Sequence, residues 1–161
     1  MTEPGPTSFR RGRRLGVDVG DVRIGVAVSD PDGILATPVE TVAAGPTAIG
    51  RIAELVREYE ALECVVGLPM GLSGREGPAA VKVRAFCEQL LEAIDPVPIR
   101  LFDERMSTVT ATSHLRESGR SGRGKRRVID QAAATVILQT ALESERTRGT
   151  APGESMMRAH D

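Results

Sequence analysis

The segment LGVDVGDVRIGVAVSD, residues 15–30, limits the fold most, because its aliphatic residues alternate with small ones in two short runs. Alternation with a period of two is typical of β-strands. The GDVR segment between the two runs is typical of a turn. The sequence therefore predicts a hairpin whose strands cover residues 15–19 and 24–28.

An aspartate interrupts the first of these strands. Asp18 shares a strand face with Gly16 and Gly20, since alternate residues of a strand point to the same side. If the two strands align, the partner strand adds only small residues to that face: Gly25, Ala27 and Ser29. A buried carboxylate needs a hydrogen-bond donor or a cation. Asp18 is therefore either a hydrogen-bonded structural residue or part of a ligand site on a floor of small side chains.

The rest of the chain alternates strands and helices. A third strand is predicted at 33–42, where Pro38 favours a sheet edge. Further strands are predicted at 64–69 and 98–106, and helices at 47–60, 79–94, 107–119 and 128–145. Because parallel strands need crossover connections, this order predicts an α/β fold. Its mixed sheet joins an antiparallel three-strand meander to parallel strands, with helices on both faces.

Composition sets the class of protein. The 161 residues, 40% of them hydrophobic, predict one domain at 10–147 with flexible tails at 1–9 and 148–161. No apolar run approaches the ~18 residues of a membrane span, and no signal-peptide pattern begins the chain, so a cytoplasmic location is expected. Aromatic residues make up only 2%, too few for base stacking to dominate nucleic-acid binding. Cys64 and Cys87 fit no metal spacing and are predicted to be buried thiols, with a disulfide as the alternative.

Two more acidic positions fall where strands end or helices begin. Asp103 and Glu104 are adjacent near the end of a predicted strand, so only one of them can face the same side as Asp18. Asp130 lies on the apolar face of the last predicted helix, within its first turn. Each position has an ordinary structural explanation, either a solvated strand end or a favourable helix-dipole contact. Together they suggest a carboxylate site for Mg²⁺ or Mn²⁺, since His114 and His160 are too isolated for a zinc cluster.

Basic residues cluster in GRSGRGKRR, residues 119–127. The G-x-x-x-x-G-K part of this segment matches a nucleotide-binding loop, but Arg126 replaces the required Ser or Thr and a helix precedes it where a strand belongs. We interpret the segment as a phosphate-contacting loop, with a solvated loop as the alternative. Ser73, Gly74 and Arg75 are a second candidate for phosphate contacts, and ordinary turn chemistry explains them equally well.

Four motifs in this order, GVDVGDVRIGVAVSD, VVGLPMGLSGREG, DERMST and VIDQAAATVILQTAL, resemble those of the YqgF (RuvX-type) family of RNase H-like nucleases. The resemblance covers roughly residues 13–142. It implies an RNase H-like fold and metal-dependent phosphodiester cleavage. It also implies a catalytic, metal-binding triad of Asp18, Glu104 and Asp130. The nucleic-acid contacts that we expect on this basis are Arg75, Arg105, Ser107, Arg120, Arg123, Lys125, Arg126 and Arg127.

The family is associated with maturation of the 5′ end of 16S ribosomal RNA and with Holliday-junction resolution. Junction resolution would require two sites in a two-fold dimer. A D-x-G motif alone also occurs in actin-like and sugar-kinase ATPases, but these need two such domains. The other hypothesis is a nucleic-acid-binding or ribosome-assembly factor with a vestigial site. The sequence does not decide whether the substrate is RNA or a DNA junction. It does not specify the oligomeric state either.

Overall fold

A six-stranded mixed sheet forms the centre of the fold. The computed structural model describes residues 9–71, 73–106 and 123–156, with the backbone alone for 123–129. The strands are β1 (Arg14–Val19), β2 (Arg23–Ser29), β3 (Ala36–Ala43), β4 (Glu63–Leu68), β5 (Ile99–Asp103) and β6 (Glu154–Met156). Their order across the sheet is β3-β2-β1-β4-β5-β6.

The strand pairings confirm the predicted mixed topology. β1, β2 and β3 form an antiparallel meander, β4 pairs in parallel with β1 and β5, and β6 is antiparallel to β5. β3 lies at a sheet edge, and a register shift between Val26 and Ala27 falls where Pro38 enters the pairing. Proline donates no ladder hydrogen bond, which accounts for the edge position and the irregularity predicted from Pro38.

Helices cover both faces, as predicted. They are α1 (Ala48–Glu58), α2 (Pro78–Ala93) and α3 (Arg123–Arg148), and a 3₁₀ turn covers Glu104–Met106. One core, which includes Val17 and Val66, also takes in the buried residues of α1 and α2. The second core lies between α3 and the other face of the sheet, where Val65 and Phe102 meet Leu138.

Small residues allow α3 to lie against the sheet. A Cβ atom at Gly25 of β2 would overlap the backbone carbonyl oxygen of Asp130. A Cβ at Gly16 of β1 would lie 2.7 Å from the Leu138 Cβ and 3.0 Å from the Ala134 carbonyl oxygen. A side chain at either glycine would therefore overlap α3. The face of small residues noted in the sequence is the surface against which α3 packs.

The predicted boundary between the basic segment and the last helix differs from the structure. α3 begins at Arg123, five residues before the predicted start, so residues 123–127 are helical rather than a loop. Arginine and lysine are good helix formers, and no proline interrupts this segment. A cluster of basic residues is therefore as compatible with a helix as with a loop. The helix predicted at 107–119 and the two histidines lie outside the described residues.

The predicted C-terminal tail also differs from the structure. Instead of a flexible tail from residue 148, Glu154–Met156 add a strand to β5. At the other end, the Phe9 ring lies 4.6 Å from the Arg14 guanidinium carbon and 4.7 Å from that of Arg146. Three residues carry too little periodicity to predict a strand, and a cation–π contact depends on the tertiary fold.

Both cysteines are buried and free, which confirms the prediction of structural thiols. Burial raises the pKa of the Cys87 thiol to about 12, so this side chain remains protonated at neutral pH. Within the described ranges, no helix is both long and apolar enough to cross a membrane.

Candidate active site

Asp18 lies near the carboxyl end of β1 and faces α3. It pairs across the hairpin with Gly25, and Gly16 pairs with Ala27. The small residues of both strands therefore share one face with the aspartate, as the sequence predicts. Asp18 is half-buried, so its carboxylate remains within reach of solvent at this edge.

Asp130 reaches the same place from α3. Its backbone carbonyl lies against Gly25, the cross-strand neighbour of Asp18. The residue is only 6% exposed, and its Oδ2 accepts a hydrogen bond of 2.9 Å from the Arg23 Nε. This ion pair supplies the cation that a buried carboxylate needs. Arg23 is thus a member of the site that sequence reasoning missed, although it lies in the same hairpin as Asp18.

Glu104 reaches the site from the turn that follows β5. β5 ends at Asp103, and Glu104 starts the 3₁₀ turn rather than continuing the strand. A Cβ atom at Gly67 of β4 would lie 2.9 Å from the Glu104 Oε1 and 2.7 Å from the Ile137 Cδ1. The Glu104 carboxyl group therefore occupies the space that a side chain at position 67 would take, on the α3 side of the sheet.

Gly67 also links Glu104 to Asp18. Gly16 and Val17 of β1 are in register with Val65 and Val66 of β4. Continued by one residue, this register places Asp18 beside Gly67. The three carboxylates predicted from the sequence therefore lie on one face, near the carboxyl ends of β1 and β5. Open α/β sheets build their sites at such ends. Asp130 lies about two turns inside α3 rather than in its first turn, because the helix begins at Arg123.

Asp103 has a different environment. Its carboxylate accepts hydrogen bonds from the Arg105 side chain, the shortest being 2.7 Å from Nη2 to Oδ2. These hydrogen bonds hold the pKa of Asp103 below its usual value, and they raise that of Arg105. Of the two adjacent acids, Glu104 lies over Gly67 towards α3, whereas Asp103 is engaged by arginine.

The donor set suits a hard divalent cation, because carboxylate oxygens are the ligands preferred by Mg²⁺ and Mn²⁺. Across the described ranges, however, no three His, Cys, Asp or Glu side chains are close enough together to hold a metal ion as they stand. Asp130 is directed to Arg23 in this arrangement. The three carboxylates thus have the right chemistry for a divalent metal and lie at the same edge of the sheet. Metal binding would require Asp130 to release Arg23 and coordinate the ion instead.

The predicted nucleic-acid contacts are described only in part. Arg75 is exposed on the loop after β4, where its carbonyl accepts a 2.9 Å hydrogen bond from the Gly71 amide. Ser107 and Arg120 lie outside the described residues. The backbone of α3 carries four more predicted contacts, whose side chains are not described: Arg123, Lys125, Arg126 and Arg127.

Comparison with solved structures identifies the fold. RuvC from T. thermophilus, solved in complex with a Holliday junction substrate, matches with a TM-score of 0.57 and 18% identity. The match covers 88% of this chain and 99% of RuvC. The protein therefore shares the RNase H-like fold of RuvC.

Sequence comparison then identifies the family. Residues 12–144 match the RuvX family, described as Holliday junction resolvase, and the chain belongs to this family. A protein of Streptomyces avermitilis is 64% identical over 150 residues, covering 92% of this chain and 96% of its own length. A Streptomyces coelicolor protein is 63% identical, covering 92% and 90%. Both are named "Putative pre-16S rRNA nuclease".

Proposed function

We propose that this chain is a divalent-metal-dependent endonuclease that hydrolyses phosphodiester bonds in structured RNA. Asp18, Glu104 and Asp130 are its catalytic metal ligands. The observation that carries the proposal is the convergence of these carboxylates, from β1, the turn after β5 and α3, on one edge of the sheet. The substrate class follows from the names of the Streptomyces relatives, which point to the 5′ end of pre-16S rRNA.

When bound, Mg²⁺ or Mn²⁺ would supply an activated water and stabilise the leaving oxygen. The chain's own residues supply position and charge. Gly67 leaves room for the Glu104 carboxyl group, and Gly25 lets α3 carry Asp130 to the β1–β2 hairpin. Arg75 and Arg105 lie on neighbouring loops, where guanidinium groups can hold backbone phosphates.

The proposal predicts that Asp18→Asn abolishes metal-dependent cleavage while the fold and RNA binding persist, because the amide keeps the shape and removes the charged ligand. The measurement is single-turnover cleavage of a model pre-16S 5′ RNA in Mg²⁺ or Mn²⁺. Asp21→Asn is the matched control, since Asp21 belongs to the same hairpin and its side chain is 83% exposed. Cleavage by Asp18→Asn at the wild-type rate would refute the assignment.

Holliday-junction resolution is the second nuclease activity, favoured by the family description. A four-way DNA junction tested beside the RNA, with the same variants, separates the two substrates. Junction resolution also needs a two-fold dimer, so sedimentation of the protein with and without the junction belongs to this test.

A non-catalytic RNA-binding or ribosome-assembly factor is the alternative. The Arg23–Asp130 ion pair favours it, because the pair satisfies the buried carboxylate without a metal. RNA binding with no metal-dependent cleavage, and no change of melting temperature on adding Mn²⁺, would establish this alternative in place of the nuclease.

A further inference from the structure

Asp103 and Arg105 are joined by an unusually complete set of contacts for residues two apart. The Arg105 backbone amide donates to the Asp103 Oδ1 at 2.9 Å. The Arg105 Nε lies 3.2 Å and 3.1 Å from the two carboxylate oxygens, and Nη2 lies 2.7 Å from Oδ2. One carboxylate therefore fixes both the backbone turn and the plane of the guanidinium group.

The other side of the guanidinium group meets the loop after β4. Backbone hydrogen bonds from the Gly71 amide to the Arg75 carbonyl and from the Gly74 amide to the Gly71 carbonyl shape this loop. Gly74 has a φ of 81°, which favours glycine. A Cβ atom there would lie 3.4 Å from the Arg105 Nη1. Arg105 thus spans the gap between the ends of β4 and β5.

The exposure of the pair argues against a role in stability. The side chains of Arg105 and Asp103 are 43% and 27% exposed, and exposed ion pairs contribute little to folding. Among the residues that the structure describes, none accepts a hydrogen bond from Arg105 Nη1. The residue between the two, Glu104, is a proposed metal ligand. The arrangement therefore presents an oriented cation with spare donors directly beside the proposed reaction site.

We propose that Asp103 is a positioning residue, which holds the Arg105 guanidinium group across Gly74 so that Nη1 binds a backbone phosphate of the substrate next to the Glu104 carboxylate. The inference deepens the proposed nuclease function and rests on it for the identity of the substrate. It also assigns different roles to two adjacent acids: Glu104 to the metal and Asp103 to the phosphate-binding arginine.

The sign of the effect on RNA binding tests this role. Removing any acidic charge should tighten the binding of a polyanion through simple electrostatics. Asp103→Asn should instead weaken it about threefold to tenfold, because Arg105 loses its orientation. The measurement is fluorescence anisotropy of a labelled model pre-16S RNA in EDTA, which excludes metal binding and cleavage.

Glu76→Gln is the matched control. Glu76 is a partly exposed acid on the same loop, where it pairs with Arg84 at 2.6 Å, and its loss changes the net charge equally. The Glu76→Gln variant should bind RNA as tightly as the wild type or more tightly.

Arg105→Ala should weaken RNA binding at least as much as Asp103→Asn. The double variant should bind RNA no more weakly than Arg105→Ala alone. Arg105→Lys keeps the positive charge but cannot form the bidentate contact of a guanidinium group. It should weaken RNA binding although Asp103 itself is unchanged.

Kinetics separate a positioning role from metal binding. Asp103→Asn should raise KM for the RNA and leave kcat and the half-saturating Mn²⁺ concentration unchanged. A lower kcat with a higher Mn²⁺ requirement would make Asp103 a metal ligand and overturn the proposal, as would RNA affinity equal to that of Glu76→Gln. If the wild type does not cleave, the nuclease function fails, and the anisotropy comparison still decides the role of Asp103.

Discussion

At the residue scale, the site depends on an absent side chain as much as on the carboxylates. Gly67 lies in a central parallel strand, where an aliphatic residue would be ordinary. Its missing Cβ is the space that the Glu104 carboxyl group and the Ile137 Cδ1 share. The sequence offers only the glycine of VVGLP as a signal, and nothing local distinguishes it from a packing glycine.

We predict that Gly67→Ala displaces Glu104 and Ile137. The free energy of unfolding should fall by about 1–3 kcal/mol, the usual cost of overpacking, and RNA cleavage should fall with it. Urea unfolding and single-turnover cleavage measure the two effects. Gly50→Ala in α1 is the control, since a Cβ there meets nothing within 4 Å and alanine favours a helix. Full activity in Gly67→Ala would show that Glu104 does not need this space.

At the element scale, periodicity predicted the type of most strands and helices, while contacts between distant segments decided what it missed. The alternation in β1 and β2 and the short apolar run of β4 are visible in single segments. Glu154–Met156, in contrast, become β6 only because β5 presents an open edge. Arg84 adds two hydrogen bonds to Glu154, from Nη1 at 2.8 Å and Nη2 at 2.9 Å.

In the candidate site, too, some features are visible in single segments and others depend on contacts between distant segments. The positions of Asp18 and Asp130 follow from strand and helix faces that the sequence specifies. The choice between Asp103 and Glu104 could not be predicted from an extended strand, because the strand ends between them and a 3₁₀ turn redirects Glu104. The Arg23–Asp130 ion pair joins residues 107 positions apart, so no local pattern could have revealed it.

At the scale of the whole molecule, the two ends of the parallel strands have different chemistry. The carboxylate site occupies one end. At the other end, Arg10 bridges two buried acids, with Nη2 2.9 Å from the Glu63 Oε2 and 2.6 Å from the Glu145 Oε1. Arg14 also reaches Glu145, at 3.1 Å. Through Arg10 and Arg14, the basic segment RRGRR at residues 10–14 is thus attached to α3.

This network makes stability dependent on pH. Burial opposes the ionisation of Glu145, but hydrogen bonds and charge from Arg10, together with the charge of Arg14, outweigh it and hold its pKa below the usual 4.5. The stabilisation is therefore complete above that value and is lost as the pH falls through the lower, folded-state pKa.

Glu145→Gln should lower the free energy of unfolding at pH 7 by about 3–5 kcal/mol, because it leaves the buried Arg14 without its carboxylate partner and removes one of the two acids that pair with Arg10. The difference from wild type should shrink in acid. Urea unfolding from pH 7 to pH 3 measures both. Cleavage per folded molecule should stay unchanged, since the network lies at the far end of the sheet. A difference that is constant with pH would contradict this account.

If Asp18, Glu104 and Asp130 form one divalent-metal site, the affinity of the protein for Mn²⁺ should depend on each of them. Electron paramagnetic resonance of free Mn²⁺ gives this affinity without any substrate. Asp18→Asn, Glu104→Gln and Asp130→Asn should each weaken binding about tenfold or more, whereas Asp103→Asn, adjacent to the site but paired with Arg105, should leave it unchanged. Equal Mn²⁺ affinity in wild type and all three variants would show that these carboxylates do not form a metal site.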